Sequence, residues 1–322
     1  MNLQKITDIP YFDKEQVQNR PVPTLTFFEE GAWHLWIRTQ DGLLKILGTP
    51  VEIVYFSKFP ERQFDYYFEL LNFLGQRVIN HELSKPIQGI ADDFMNIGAT
   101  IAKLKLFYNI SKNKEFEVTR MIVTDSEYIF LVCRGLFDFL QEIISKIWKT
   151  ILFTDSKYQN MVLPKKFSEM FINKDSIKTK PELNSKYKLP DSIMNFYSKY
   201  SSFFMDIRYA RDNIIHHGSS FPSIYHCERG FGIDAEILPF SKYSLWKNEK
   251  LEKNKIAPLR TALGFIILKT IEACNDFSQT IQSTVQFPPM IAPGFQLYMR
   301  SEYIGELNNL SNVVENCLWD TE

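Results

Sequence analysis

The stretch that decides the predicted fold is Ile207-Arg208-Tyr209-Ala210-Arg211-Asp212-Asn213-Ile214-Ile215-His216-His217-Gly218. Upstream of it, apolar residues recur three and four positions apart, which is the spacing of a helix with one buried face. Pro190 and Asp191 are typical of a helix start, and Gly218 is typical of a helix end. The sequence therefore predicts one long helix over residues 190–217.

The last turns of this helix have two chemically different faces, because successive residues are rotated by about 100°. The predicted buried face comprises Ile207, Ala210, Ile214 and His217. A polar row on the opposite face comprises Arg208, Asp212 and His216, and Arg211 lies on the shoulder between the faces. Residues four apart on a helix are neighbours. We therefore expect Asp212 to contact both Arg208 and His216.

His216 lies where several charges act on its imidazole ring. The negative end of the helix dipole and the Asp212 carboxylate favour the protonated ring, whereas the guanidinium of Arg211 opposes protonation. A histidine close to neutrality beside a fixed guanidinium suits acid–base chemistry on a phosphate. The spacing therefore favours a phosphate-directed site at this helix end.

The segment Arg211-Asp212-Asn213-Ile214-Ile215-His216 resembles the signature of the HEPN superfamily. That signature lies near the end of a long helix. It begins with an arginine, which is usually followed by a polar residue, and it ends with a histidine after a short spacer. The resemblance covers residues 120–283, roughly half of the chain. It implies an antiparallel helical bundle and a metal-independent endoribonuclease that cleaves RNA by transesterification at the ribose 2′-hydroxyl. It also implies a homodimer with two motifs facing one cleft.

The resemblance assigns roles to individual residues. It makes His216 the acid–base group and Arg211 the stabiliser of negative charge in the transition state, with Asp212 orienting its neighbours. Arg208 and His217 are candidate substrate contacts. A role in phage defence or in a toxin–antitoxin system, with an antitoxin or other defence protein as partner, follows from the same family. The alternative is a non-catalytic nucleotide-binding or scaffold module, and the sequence leaves both open.

Basic residues are concentrated in two segments that flank the motif helix. Residues 157–188 hold eight lysines against three acids, and residues 242–260 hold six basic residues against two acids. These basic segments are interpreted either as a phosphate-attracting rim or as solvated loops. Under the first interpretation Lys250, Lys253 and Lys255 contribute to RNA binding.

Composition and motifs exclude several other classes of protein. The net charge of −1 does not indicate nucleic-acid binding by bulk charge. The four cysteines and five histidines show no zinc-ligand spacing, and there is no Walker loop, glycine-rich dinucleotide turn or Gly-x-Ser-x-Gly elbow. We therefore predict no metal and no cofactor. Since no secretory signal or membrane-length apolar run is visible, we expect a cytoplasmic protein without membrane contact.

The remaining patterns predict a mainly α chain in three parts. Residues 1–119 form an α-rich extension, with a mixed start at 24–59 and then an αα-hairpin of helices over 64–83 and 84–108. Residues 120–283 form the HEPN-like helical domain, with a small β-hairpin over 223–238 that turns at Arg229-Gly230. Residues 284–322 form a C-terminal appendage with a final helix over 303–318.

Overall fold

A computed structural model of the chain describes residues 3–17, 20, 22, 24–78, 80–112, 118–148, 152–155, 158, 161–173, 176–216 and 221–322. The chain divides into two compact units, and each unit is assembled from three separate segments. Unit 1 comprises Met1–Met95, Asp138–Ser198 and Cys274–Gly305, and unit 2 comprises Asn96–Phe137, Lys199–Ala273 and Glu306–Glu322.

Four long helices dominate the described part of the chain. The α-helices are α1 (Lys14–Val17), α2 (Glu69–Phe73), α3 (Ser84–Lys112), α4 (Thr119–Ile147), α5 (Phe167–Phe171), α6 (Lys180–Tyr187), α7 (Asp191–His216), α8 (Leu259–Thr284) and α9 (Leu310–Glu315). A π-helical turn over Leu74–Val78 follows α2. Helices α3 and α7 begin in unit 1 and end in unit 2, whereas α4 and α8 begin in unit 2 and end in unit 1.

Strands occur in both units. They are β1 (Leu25–Glu29), β2 (Ala32–Arg38), β3 (Leu43–Ile46), β4 (Ile53–Ser57), β5 (Tyr66–Tyr67), β6 (Leu152–Phe153), β7 (Ile172–Asn173), β8 (Ser176–Ile177), β9 (Tyr225–His226), β10 (Phe231–Asp234), β11 (Ile256–Pro258), β12 (Val285–Gln286) and β13 (Gln296–Arg300). In unit 1, β12 pairs with β6 and β7 pairs with β8.

The largest sheet lies in unit 1 and has the strand order β3-β2-β1-β4-β13-β5. The β1–β4 pair is parallel and the other neighbours are antiparallel. Because side chains alternate between the faces of a strand, Phe27 of β1 and Phe56 of β4 share one face. Their rings stack with centroids 5.0 Å apart, and Phe27 also stacks on Tyr11 at 4.4 Å. This face forms an aromatic core in unit 1.

The prediction of a HEPN-like helical bundle with an α-rich N-terminal extension is wrong, although the mainly α character predicted with it is partly met. Helices account for 54% of the structure, but 16% is strand, and the six-stranded mixed sheet occupies much of the N-terminal region. The predicted helix over 64–83 is replaced by β5, the short α2 and the π-helical turn. Pairing of Tyr66 with Met299 and of Tyr67 with Tyr298 overrides the local helical spacing.

The predicted β-hairpin is present in unit 2 as part of a larger sheet. Strands β9 and β10 are antiparallel with Phe231 opposite His226, and the Cys227 N–H donates to the Gly230 carbonyl at 2.9 Å. Strand β11 adds a third member, with Ala257 opposite Ile233. Ile233 and Ala257 are fully buried, so the insertion has its own packed face.

A buried ion pair fixes β13 in the large sheet. Arg300 is 2% exposed and donates from Nε and Nη2 to the two Asp65 carboxylate oxygens, at 3.1 and 2.9 Å. Asp65 also accepts hydrogen bonds from the Tyr55 hydroxyl at 2.6 Å and from the Arg62 N–H at 2.8 Å. The guanidinium lies 4.8 Å from the centre of the Trp33 ring. Burial and the bond to Asp65 raise the pKa of Tyr55, so its hydroxyl stays a donor.

Within the described residues, no helix combines the length and apolar character needed to cross a membrane.

Asp65→Ala should destabilise unit 1 strongly. The substitution removes both hydrogen bonds from the buried Arg300 to Asp65 and leaves the guanidinium in contact with Glu61, and breaking a buried pair in this way costs about 3–5 kcal/mol. The control is Glu272→Ala, which removes the partner of Lys269 in an ion pair with both side chains exposed and should cost less than about 1 kcal/mol. Urea denaturation of both variants measures the difference. Equal effects of the two substitutions would contradict a structural role for the buried pair.

Candidate functional site

The last turns of α7, in unit 2, bring two arginines onto one carboxylate. Arg208 Nε donates to Asp212 Oδ2 at 3.3 Å, and Arg211 Nη1 donates to Asp212 Oδ1 at 3.0 Å. The three side chains are 36%, 31% and 37% exposed for Arg208, Arg211 and Asp212. The Arg208–Asp212 contact agrees with the predicted polar row. The contact of Arg211 with the same carboxylate was not predicted, and it places both guanidinium groups side by side at the surface.

The two histidines of the motif differ in how much of them the structure describes. His216 is the last residue of α7. Its side chain and the whole of His217 lie outside the described part of the chain. The expected contact between Asp212 and His216 therefore stays a prediction, as does the position of His217 on the buried face.

The apolar face of α7 becomes less buried toward the C-terminal end of the helix. Ile207 is fully buried, whereas Ala210 and Ile214 are half-buried. Beyond Ile207 the face borders a cavity of about 170 Å³. Its lining comprises Phe130, Tyr209, Ala210, Asn213, Ile214, Phe221, Pro222, Ile237, Leu238, Pro239 and Phe240. An aromatic cavity thus adjoins the turns that carry Arg211 and Asp212.

Three large apolar side chains beside this cavity or at the helix end face solvent. Tyr209 is 68% exposed, Ile215 is 47% exposed and Leu238 is 61% exposed. Single exposed apolar residues are common, but several close to one helix end are typical of a contact surface. Tyr209 and Ile215 belong to the same two turns as Arg211 and Asp212.

A buried carboxylate on α7 holds the loop that follows the β-hairpin. Asp206 is 8% exposed and accepts hydrogen bonds from Lys242 Nζ and from the Tyr243 hydroxyl, the latter at 2.5 Å. Burial and the bond to Asp206 raise the pKa of Tyr243. The sequence analysis missed this contact. The sequence did contain an indication of this contact. Asp206 lies three residues after Phe203 and four before Ala210, on the apolar face of the helix, where a carboxylate requires a partner.

Two of the three predicted RNA-binding lysines are paired with acids. Lys250 Nζ donates to Glu322 Oε2 at 2.8 Å, and Lys255 forms an ion pair with Glu236. Lys253 is exposed and has no acidic partner among the described residues. Hydrogen bonds from Lys250 and Arg229 lower the pKa of Glu322 to about 2, although partial burial acts in the opposite direction. Lys250 thus helps to hold the C-terminus in unit 2.

The other basic segment, 157–188, belongs to unit 1, whereas Arg211 belongs to unit 2. Its Lys178 is not a free surface charge. Lys178 Nζ donates to the backbone carbonyls of Glu169 and Met170, both at 2.9 Å, and burial lowers the pKa of this amine. Lys157 and Lys174 lie outside the described residues.

The structure also describes cysteine and histidine side chains that lie away from the motif. In the ranges that the structure covers, no cluster of three histidine, cysteine, aspartate or glutamate side chains is arranged to hold a metal ion. Cys133 and Cys274 are fully buried thiols. His226 packs against Tyr108 at 5.8 Å and lies 2.9 Å from the Ser111 hydroxyl, both on α3. The His226 ring thus has a ring contact and a hydrogen-bonding partner on α3.

Comparisons of the chain with protein-family models, with curated proteins and with solved structures gave no match. Functional inference for this chain therefore depends on the residues themselves and on their geometry.

Lys250→Glu should lower the melting temperature, whereas Lys253→Glu should leave it unchanged. The first substitution removes a hydrogen bond to Glu322 and places a like charge beside it, and the second alters an exposed side chain. The Glu322 pKa is depressed from 4.5 to about 2, so its stabilising contribution is complete above pH 4.5 and disappears as the pH falls toward 2. The difference between Lys250→Glu and the parent should accordingly shrink between pH 7 and low pH in thermal melts.

The same two variants separate stability from RNA affinity. Under the phosphate-rim interpretation, Lys253→Glu should weaken RNA binding and reduce the salt slope by about one, because one phosphate contact is lost. An unchanged slope in Lys253→Glu would identify this lysine as an ordinary solvated residue.

Proposed function

We propose that the chain is an endoribonuclease whose active site lies at the C-terminal end of α7. The observation that carries this proposal is the pairing of one half-exposed carboxylate, Asp212, with the guanidinium groups of Arg208 and Arg211. His216 ends the same helix one turn later. Arginine donors, an orienting acid and a histidine near the end of one helix are the components that cleavage of a phosphodiester without a metal requires.

The arginines retain donors for a substrate. Asp212 engages Nε of Arg208 and Nη1 of Arg211, and no other partner of these two guanidinium groups is found among the described residues. Arginine donates several hydrogen bonds in a planar fork that matches a phosphate. A phosphate can therefore bind to the remaining N–H groups while Asp212 keeps both side chains in place.

In the proposed mechanism the ribose 2′-oxygen attacks the adjacent phosphorus and the bond from phosphorus to the 5′-oxygen breaks. The products are a 2′,3′-cyclic phosphate and a 5′-hydroxyl end. His216 either accepts the proton of the 2′-hydroxyl or donates one to the leaving 5′-oxygen, and water exchanges the other proton. Arg211 stabilises the extra negative charge on the phosphoryl oxygens at the transition state. Asp212 orients the guanidinium groups, and Arg208 supplies a second phosphate contact.

The proposed assembly is a homodimer in which two motif-bearing helix ends face one cleft. The exposed side chains of Tyr209 and Ile215 support this arrangement, because they are apolar and adjoin the motif. The proposed setting is a cytoplasmic phage-defence or toxin–antitoxin system, in which a partner protein restrains cleavage of RNA.

A second candidate function is non-catalytic binding of a nucleotide. The remaining N–H donors of Arg208 and Arg211 favour it, because they can bind a phosphate without any group that carries out acid–base chemistry. The two functions share a phosphate site but differ in the need for His216. Substitution of that residue therefore distinguishes them.

His216→Ala should abolish RNA cleavage without a loss of thermal stability. General acid–base groups contribute about 10²–10⁴-fold to rate, so the defect should be large. Arg211→Lys should also be impaired, because an ammonium cannot bind a phosphate in a bidentate manner. Cleavage of a labelled RNA pool, with end-group analysis for 2′,3′-cyclic phosphate, measures both variants. Activity of the parent should persist in EDTA, since the proposed chemistry uses only side chains.

The comparison variant is His217→Ala, which should lower thermal stability and affect cleavage less than His216→Ala, because His217 is predicted to lie on the buried face. Full activity of His216→Ala would refute the catalytic assignment, and a loss confined to His217→Ala would transfer the role to His217. A parent protein that binds RNA but never cleaves it would favour the second function.

Ile215→Asp should convert the proposed dimer into a monomer, because it places a charge within the apolar contact surface at the helix end. Leu47→Asp is the matched control, since Leu47 is 92% exposed in unit 1 and far along the chain from the motif. Light scattering at micromolar protein concentration measures the mass of both variants. A monomeric parent protein would rule the dimer out.

A further inference from the structure

Unit 1 contains a second concave site that the proposed nuclease does not use. It is a half-open cleft of about 500 Å³ between one face of the large sheet and the first turns of α3. Its lining comprises Thr24, Leu25, Thr26, Glu52, Ile53, Val54, Phe56, Leu71, Gly75, Ser84, Ile87, Gln88, Ala91, Asp92, Met95, Ile291 and Leu297. This volume lies in the range of small-molecule sites, about 300–1,000 Å³.

Helix α3 presents two parallel rows to the cleft. Ile87, Ala91 and Met95 are four residues apart and form an apolar row, and Ser84, Gln88 and Asp92 form a polar row beside it. Ile87 and Ala91 are buried, whereas Gln88 and Asp92 are exposed. The small side chain of Ala91 leaves the space that a larger residue would fill.

The sheet supplies the opposite wall. Val54 and Phe56 on β4, and Leu297 opposite Phe56 on β13, lie on the same face as the buried Leu25 of β1. Protein interiors are normally packed without voids larger than a water molecule. A cleft of this size with aliphatic walls therefore exposes apolar surface that a ligand would cover favourably.

The ionisable side chains that line the cleft are all acidic. Glu52 and Asp92 are the ionisable residues of the lining, and both are exposed to solvent. No lysine, arginine or histidine is among the residues that border the cleft in the described part of the chain. The walls thus suit an apolar body, and the rim suits a positive charge.

We infer that this cleft binds a small amphipathic cation, with an alkyl or aromatic body against Ala91, Val54 and Leu297 and an amine or guanidinium head at Glu52 and Asp92. The inference is independent of the proposed nuclease activity, because every lining residue belongs to unit 1 and the motif belongs to unit 2.

The test uses three probes of equal chain length that differ in charge: octylammonium, octanol and octanoate. At pH 8 the first is positive, the second neutral and the third negative. Isothermal titration of the full-length protein should show octylammonium binding more tightly than octanol by about two- to fivefold for each carboxylate engaged. Octanoate should bind most weakly. Equal or tighter binding of octanoate would overturn the inferred charge preference.

Two kinds of variant separate the walls from the rim. Ala91→Phe fills the cleft and should abolish binding of octanol and octylammonium alike. The double variant Glu52→Gln, Asp92→Asn should bind octanol normally but lose the preference for octylammonium. Asp93→Asn is the matched control, because this neighbour of Asp92 does not line the cleft. Its pKa is raised to about 6 by burial and by Asp92, so it still carries charge at pH 8.

Retained binding in a folded Ala91→Phe protein would place the probes elsewhere and overturn the site. If Ala91→Phe does not fold, Ala91→Leu is judged by the same criterion. A preference for octylammonium that survives in the double variant but is lost in Asp93→Asn would overturn the assignment of the rim.

Discussion

Unit 1 depends on the buried contact between Arg300 and Asp65. These residues are 235 positions apart, and their two hydrogen bonds join β13 to the turn that precedes β5. Removing Arg300 would leave the buried Asp65 carboxylate without its cation in a medium of low dielectric constant, and removing Asp65 would leave the buried Arg300 with the Glu61 carboxylate as its acidic contact. A second buried group acts beside it, because the Gln76 amide donates to the Ala292 and Phe295 carbonyls at 3.2 and 2.8 Å and accepts from the Ala292 N–H at 3.1 Å. Together they hold residues 292–300 against the N-terminal segment.

This constraint explains why the fold class was predicted incorrectly although the long helices over 84–108 and 190–217 were predicted close to their observed bounds. Helices α3 and α7 are local structures, and their apolar spacing and terminal residues are sufficient to place them. Strand β13 has no local signal of its partners, since it pairs with β4 and β5 from the other end of the chain. Arg300 resembles any surface arginine in the sequence. Its burial becomes visible only when the Asp65 carboxylate is brought next to it.

The candidate site shows the same division between local and distant information. Helical geometry predicted the contact of Arg208 with Asp212, because both residues lie on one helix. The pairing of Asp206 with Lys242 and Tyr243 was not predicted, although an acid on an apolar face indicated that some partner exists. The identity of that partner depends on the path of the chain after β10. Likewise, Lys250 could be counted as a basic residue, but its commitment to Glu322 follows from the position of the C-terminus.

In the proposed nuclease, Asp212 determines how the motif acts on a phosphate. With two arginines and one carboxylate, the group carries a net charge of one positive unit before His216 is counted. The carboxylate lowers the attraction for an anion at long range. It also restricts two flexible side chains to one geometry, and a donor that is already in place loses less conformational entropy when it binds. A site of this kind favours the charge that develops on a pentavalent phosphorus over the mere accumulation of anions, because preorganised donors stabilise the transition state with little rearrangement. The same pairing would serve a simple nucleotide-binding site poorly, since there the loss of positive charge has no compensating gain in rate.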